Sequence, residues 1–425
     1  MARSVALVEK YINDFINLAI GSGGWMILDR IYLRNRLESL IGEWQKENEE
    51  VEMPESMSSQ EIVDKLLNVA IKNNKLDSQN KRDIEKLQSE LMELLTPPPS
   101  VVNALFSQHY DNLPHEATDY YHLLNINNGF IKSSFLRAEE IEIDNSNWVI
   151  QPNNWAKVDE NVCQQCFESE GFGVLKNRLK RIIRMNLKGE SWGFSYEQTP
   201  LFHEHSQFFP EEHSQFEISR KLHETMLQLV EIYPHYFISF DPLKDKVKHH
   251  SSFFGGKTNL PLFKEEATHE FDIPGFVTVS AALVDWPLSV IRLKTTSKKN
   301  LLNSIEYLNL RWQQYSYPSL DILAKNESGE VTHSLIPIFR IEDNMYVADL
   351  ILVDESVAFN RTVNYENLLA DKFSIVDQLG VINIKEDLEI NDRLKEIVTE
   401  NMLKQSVFKN TPEGETAFIR FVDTL

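Results

Sequence analysis

Thr96-Pro97-Pro98-Pro99-Ser100 divides this chain more sharply than any other stretch. Prolines lack N–H donors and their rings clash with the preceding turn, so no helix runs through three of them. The N-terminal side is helical in pattern. Val5, Val8, Ile12, Phe15, Ile16, Ala19 and Ile20 recur at three- and four-residue spacing, which is one helix face. Gly21-Ser22-Gly23-Gly24 stops that helix, because glycine takes the left-handed cap conformation at no steric cost. Asp29–Gly42 predicts a second helix, with Leu33, Leu37, Leu40 and Ile41 on one side. A polar, acidic loop over 45–60 is followed by two more predicted helices, near Ser59–Ile71 and Ser78–Leu95. Their apolar stripes predict a small bundle core.

Beyond the prolines, helices are predicted over Val101–Leu113 and Ala117–Leu124. From Phe130 the character changes to short β-like runs: Trp148–Gln151, Arg181–Leu187, Trp192–Tyr196, Gln207–Phe209, His235–Phe240, Gly275–Ala282, Leu288–Leu293, His333–Ile338 and Met345–Val353. Helical patterns intervene at Ser219–Ile232, Lys299–Tyr315 and Asn391–Lys404. Strands mixed with a few helices predict an α+β fold with mostly antiparallel sheets. The tail Gln378–Leu425 is charged, helical in pattern, and ends in the mostly apolar run Ala417–Val422.

A formal net charge of −21 argues against a nucleic-acid face, which needs a basic surface. One local basic cluster is still enough to hold a phosphate. Lys176–Arg184, with Arg181 inside it, is that candidate; the alternative is a solvated basic face. No apolar run approaches the roughly 18 residues of a membrane span. Met1-Ala2-Arg3-Ser4 leads directly into an amphipathic pattern, unlike a signal peptide, so the cytoplasm is the expected compartment. Glycine is scarce, and neither G-x-G-x-x-G nor G-x-x-x-x-G-K-[ST] occurs, which excludes the usual dinucleotide and P-loop signatures.

The two cysteines form one Cys163-x-x-Cys166, too few for a disulfide framework and consistent with a reducing compartment. As metal ligands they are half of the four that zinc usually takes. His203, His205, His213, His223, His235, His249 and His250 follow as candidates for the rest; the alternative is a reduced pair without a ligand. Alternation along a strand would point His203 and His205 to one face. The densest cluster of reactive side chains is Lys248-His-His-Ser-Ser-Phe-Phe-Gly-Gly-Lys257, which reads as an active-site loop or the remnant of one. Lys257 and Arg292 join Arg181 as candidate substrate-binding cations.

Several segments together resemble one family. They include Asp29-Arg-Ile-Tyr-Leu-Arg-Asn35, Leu95-Thr-Pro-Pro-Pro-Ser-Val-Val-Asn103, Ala117-Thr-Asp-Tyr-Tyr121 and Cys163-Gln-Gln-Cys166 with Glu168-Ser-Glu-Gly-Phe172. Leu187-Lys-Gly-Glu-Ser-Trp192, Tyr233-Pro-His-Tyr-Phe237, Trp286-Pro-Leu-Ser-Val-Ile-Arg-Leu293 and Arg311-Trp-Gln-Gln-Tyr315 complete the set. The chain resembles the class 2 galactose-1-phosphate uridylyltransferases of low-GC Gram-positive bacteria. The resemblance implies exchange between UDP-glucose and galactose 1-phosphate. It implies two histidine-triad-like α+β halves, over residues 97–244 and 245–425, after a helical extension over 1–96. It also implies a UDP-hexose or hexose 1-phosphate as ligand, a homodimer, and no nucleic-acid or membrane partner.

The family's nucleophile is the second histidine of a His-x-His-x-Gln motif followed by Gly-Gly. Its imidazole attacks the α-phosphorus, releases the hexose phosphate and carries the uridylyl group to the next acceptor. The glutamine hydrogen-bonds the charge developing on the phosphate oxygens. Aligned on Gly255-Gly256, the motif puts His250 at the first histidine, Ser252 at the nucleophile and Phe254 at the glutamine. A serine hydroxyl is protonated at neutral pH and needs a base, and phenylalanine cannot hydrogen-bond a phosphate. The family's His-Pro-Ala-Arg-Gln-Asn-His segment, expected between Gly173 and Arg181, is shortened and has no histidine. A late histidine cluster is replaced by Tyr365-Glu366-Asn367, and the glycine-rich lead into the motif by Asp241–Lys248. A metal set carried over from class 1 relatives is kept as Cys163, Cys166, His213 and His250, which implies a structural zinc site. Three readings follow: a diverged member with weakened, lost or redirected transfer, an active enzyme with His249 or His250 as displaced nucleophile, and a non-catalytic interaction subunit.

Overall fold

A computed structural model describes residues 7–44, 57–132, 138–143, 145–153, 163, 166–171, 178–213, 215–241, 251–354, 368–369 and 374–425. The chain falls into two compact units, residues 1–133 with 160–198 and residues 134–159 with 199–425. The strands in chain order are β1 (Glu139–Ile143), β2 (Ser146–Asn153), β3 (Ile183–Leu187), β4 (Glu190–Tyr196), β5 (Ser206–Pro210), β6 (Tyr236–Phe240), β7 (Phe253–Lys257), β8 (Ala267–Phe271), β9 (Ser280–Val284), β10 (Val290–Thr295), β11 (His333–Glu342), β12 (Met345–Asp354) and β13 (Val381–Lys385).

The first unit is built on α1 (Leu7–Gly21), α2 (Arg30–Ile41), α3 (Ser59–Lys72), α4 (Lys81–Leu94), α5 (Pro99–Asn112) and α6 (Pro114–Asn127). Gly42, at φ +85°, ends α2. Ser58 and Glu61 form a reciprocal capping box that starts α3. Pro99 occupies the first turn of α5, where a missing N–H costs nothing, so the proline run separates α4 from α5 as its chemistry requires. The apolar stripes meet in a core that buries Ile12, Phe15, Ile16, Leu33, Leu37, Val63, Leu66 and Leu91. The hairpin β3–β4 turns at Lys188 and Gly189, both at positive φ, as a two-residue hairpin loop favours. It packs against α5, and Phe194 and Tyr196 join Phe106 and Tyr121 in an aromatic cluster.

In the second unit, eight strands form one antiparallel sheet in the order β5-β7-β6-β11-β12-β10-β9-β8. The same path occurs twice in it. β5, helix α7 (Arg220–Ile232), β6 and β7 give the order β5-β7-β6; β10, helix α9 (Lys298–Trp312), β11 and β12 give β10-β12-β11. The repeats meet where Ile238 of β6 pairs with Phe339 of β11. This is the α+β architecture with mostly antiparallel strands that was expected.

Helices α7 and α9 cover one face of that sheet. The opposite face presents Phe237, Phe254, Val290, Ile336, Ile338 and Ile351 to a core shared with Trp148, Ile150, Ile382 and Ile384 of a second sheet, β1-β2-β13. Trp148 stacks on Trp286 with ring centroids 4.5 Å apart. Short helices α8 (Pro261–Lys264) and α10 (Ile375–Gln378), and α11 (Asp392–Leu403), add Leu262, Ile375 and Val398. The C-terminal helix α12 (Pro412–Asp423) buries Ala417, Phe418, Phe421 and Val422, the apolar run of the tail. One buried charge cluster interrupts the apolar face. Asp349 accepts from Arg292 Nε at 2.6 Å and from Arg340, whose guanidinium lies 4.4 Å from the Phe263 ring centroid. Burial alone would raise the Asp349 carboxyl, but the two guanidiniums hold it below the usual range.

Five strands differ from expectation, four of them unexpected and one displaced. β1, β7 and β8 are absent from the sequence reading, and β13 lies in the tail read as helical. The run expected at Gly275–Ala282 is displaced to Ser280–Val284, because Gly275 at φ +85° holds a turn before it.

Candidate functional site

The family motif's C-terminal half is β7, held between β5 and β6. Its glycines are fixed by close packing on both sides. A Cβ on Gly255 would lie 2.4 Å from the Phe237 carbonyl oxygen, and one on Gly256 would lie 2.7 Å from the Phe202 ring and 2.8 Å from the Glu204 carbonyl oxygen. Side chains alternate along the strand, so Phe254 shares its face with Ser252, one residue before β7. Ser252 is partly exposed, and its Oγ lies 3.4 Å from Gln207 Oε1. Gln207 is the direct cross-strand partner of Phe254. Ser251, on the other side, accepts from the Phe216 amide at 2.9 Å and is buried.

Phe254 is 7% exposed. Its ring lies 6.0–6.4 Å from Phe237, His205 and Phe202, at steep interplanar angles. Phe254 is thus held in an edge-to-face aromatic packing unit.

Lys257, which ends β7, places Nζ 2.5 Å from Glu204 Oε1, and Tyr236 donates to Glu204 Oε2 at 2.7 Å. Glu204 is buried and sits in the left-handed region at φ +59°. That kink defeats the alternation expected of its neighbours. His203 is exposed, whereas His205 is buried, stacks on Phe202 and accepts the Leu201 amide on Nδ1 at 3.2 Å. The two imidazoles therefore do not point together.

The basic run Lys176–Arg184, where described, is engaged within the first unit. Arg178 pairs with Glu93, and Arg184 with Glu170 at 2.6 Å. Arg181 is buried; its Nε donates to Pro97 O at 2.7 Å, and its Nη1 to Lys180 O and Arg178 O at 2.8 and 3.0 Å. The run is thus neither a solvated face nor an open cluster. Arg292 is likewise buried, spent on Asp349 and on the carbonyls of Leu262 and Glu265. Cys163 and Cys166 are half-buried, with sulfurs within 4.8 Å of one another. Burial and the neighbouring thiol push Cys166 up to about 12. Two thiols this close supply half of the four donors that zinc usually takes. His213 is exposed, three residues beyond the end of β5 rather than on a strand. His249 and His250 lie outside the described residues, as does the segment around Tyr365.

Glu204, Tyr236 and Gln207 went unread as site residues. Glu204 was legible only as part of His203-Glu204-His205, and Gln207 only as a strand residue; strand pairing brings Gln207 to Ser252 across 45 positions.

A profile described as "Galactose-1-phosphate uridyl transferase, N-terminal domain" matches residues 25–154. A galactose-1-phosphate uridylyltransferase of Lactococcus lactis subsp. lactis (strain IL1403) is 30% identical, over 83% of this chain and 76% of that protein. Galactose-1-phosphate uridylyltransferase 1 of Streptococcus pneumoniae serotype 4 (strain TIGR4) is 28% identical over 98% of this chain and 99% of its own. Among solved structures, a yeast Ap4A phosphorylase aligns over 71% of the chain with a TM-score of 0.40 and 13% identity. The fold class rests on the strand order rather than on that likeness. The chain belongs to the galactose-1-phosphate uridylyltransferase family.

Proposed function

We propose that this family member keeps a site for a UDP-hexose or hexose 1-phosphate in which uridylyl transfer is weakened, lost or redirected. The observation that carries this is Phe254. Its ring is part of the core where the family's glutamine would face the phosphate, and beside it a serine stands at the nucleophile's position. Imidazole attacks phosphorus as a neutral base at physiological pH, whereas a serine hydroxyl must first lose its proton to a neighbour. The Ser252 hydroxyl lies 3.4 Å from the Gln207 amide oxygen, and an amide is not a base. The setting implied is a cytoplasmic homodimer with galactose-linked nucleotide sugars.

Trapping tests the mechanism. The purified chain is incubated with UDP-glucose and its intact mass measured. The expected result is no uridylyl adduct. An adduct mapped to His249 or His250 would replace this reading with that of an active enzyme using a displaced nucleophile.

Cys163 and Cys166, completed by His213 and His250, are the proposed ligands of a structural zinc. The paired thiols support this. When bound, the ion would brace the loops and take no part in phosphoryl chemistry. Elemental analysis should find about one zinc per chain, lost when both cysteines are changed to serine. A metal-free wild-type protein with two freely reactive thiols would contradict it.

A further inference from the structure

We infer that an exposed apolar patch at the start of α2 is the surface through which two copies of this chain associate. This gives a surface to the homodimer of the proposed setting and rests on that part of the reading. Met26, Ile27, Leu28, Ile31 and Tyr32 make the patch, and they are 52–88% exposed. They sit on a single 3-10 turn, Ile27–Asp29, and the first turn of α2. The backbone there is pinned. Asp29 accepts from the Met26 amide at 2.7 Å and returns its own amide to the Met26 carbonyl at 2.9 Å. Trp25 donates Nε1 to the Leu94 carbonyl at 2.8 Å, and its ring lies 5.6 Å from that of Tyr32. A patch held in place before contact loses little freedom on association.

Helix α2 is apolar on more than one side. Leu33, Leu37 and Ile41, four residues apart, are buried against the bundle. Each residue turns the helix by about 100°, so Ile31 and Tyr32 point away from that stripe. A helix at the surface of a bundle ordinarily turns polar residues outward, and one that is apolar all round is covered all round. The patch also lies away from the ends of the described segments that flank it. Glu9, near the start of α1, pairs with Arg34 at 2.5 Å and accepts from Trp44 at 3.3 Å. Asn17, toward the other end of α1, accepts from Arg30 at 2.7 Å. Leu7 and Trp44, where description stops, therefore belong to the far end of α2.

Area and charge select a second copy as the occupant. At about 200 Å² per large side chain, the five leave on the order of 700 Å² outside. That exceeds the roughly 300–600 Å² of the largest patch on a typical monomer. It approaches the roughly 800 Å² that each partner gives to a stable interface. A twofold axis sets the same patch on both sides, so one patch supplies both halves of an interface of standard size. Two chains of net charge −21 repel, and they approach best where carboxylates are scarce. Between Met26 and Leu37 the only carboxylate is Asp29, engaged by the Met26 amide, while Arg30 and Arg36 are exposed.

The test is the molar mass of the full chain in solution, by sedimentation across a range of micromolar concentrations. The wild type should have twice the mass of one chain. Leu28→Asp and Ile31→Asp place a carboxylate in the patch, and each should raise the dimer dissociation constant about ten-fold or more. Thermal melting of each variant reports folding and should stay near that of a monomeric wild type, measured at high dilution. Hydrogen exchange of the wild type reads the same surface without substitution: amides in residues 26–32 should exchange more slowly as the concentration rises. A wild type with the mass of one chain at every concentration would overturn the inference and the homodimer together. A dimer undiminished in well-folded variants, or exchange over 26–32 that does not change with concentration while the mass doubles, would overturn the assigned surface and leave the homodimer standing.

Discussion

At the scale of single residues, a few side chains divide fold from function. Phe254 shows the division best: its ring belongs to the core, and the proposal that a phosphate contact is missing rests on that one side chain. Arg181 and Arg292 make the same point from the opposite side. In sequence they are cations available to a phosphate; in the structure their donors serve carbonyls and Asp349. His223 carries a prediction of its own. It is buried on α7 with neither ring nitrogen hydrogen-bonded, its ring 6.1 Å from that of Phe339, and burial pushes it down to about 4 from 6.5. A histidine whose folded pKa is depressed is protonated first in the unfolded chain. Its contribution is therefore complete above about pH 6.5 and is lost as pH falls from there toward 4. The drop is worth about 3 kcal/mol at most. Urea unfolding from pH 7 to pH 4.5 should show it, and His223→Leu should flatten the curve; parallel curves for the two proteins would exclude it.

At the scale of elements, most of the long helices were legible because they carry local evidence, an apolar stripe with a cap, a proline start or a glycine stop, whereas the four-residue α8 and α10 are too short to show a period. The strands were legible where β-branched and aromatic residues cluster, as in β6, β11 and β12. β7 was visible as a motif and not as a strand, since Phe-Phe-Gly-Gly-Lys has low strand propensity. It is a strand because β5 and β6 pair with it on both sides, and its glycines are what let Phe237 and Glu204 approach. β13 hid in a charged tail and forms by parallel pairing with β2, more than 200 residues earlier. β8 is largely exposed and lacks a clean alternation to read. The site followed the same rule. Ser252 and Phe254 were singled out by motif alignment alone, whereas the pairing of Gln207 with Phe254 needed the β5–β7 register, and the separation of His203 from His205 needed the left-handed Glu204.

At the scale of the molecule, the second unit repeats one strand–helix–hairpin path and joins the copies edge to edge at β6 and β11. Duplication allows the halves to diverge. On the same face as Ser252 and Gln207, the second repeat holds the buried Arg292–Asp349–Arg340 cluster. The first repeat has the partly exposed Ser252 and Gln207 there, with the Ser252 hydroxyl 3.4 Å from the Gln207 amide oxygen. The chain keeps the family's frame, and its covalent step is proposed to be weakened or lost. A steady-state assay with saturating UDP-glucose and galactose 1-phosphate, following UDP-galactose, tests this. The expected turnover is far below the roughly 1–10³ s⁻¹ typical of enzymes; turnover inside that range, from the wild-type chain alone, would contradict the proposal.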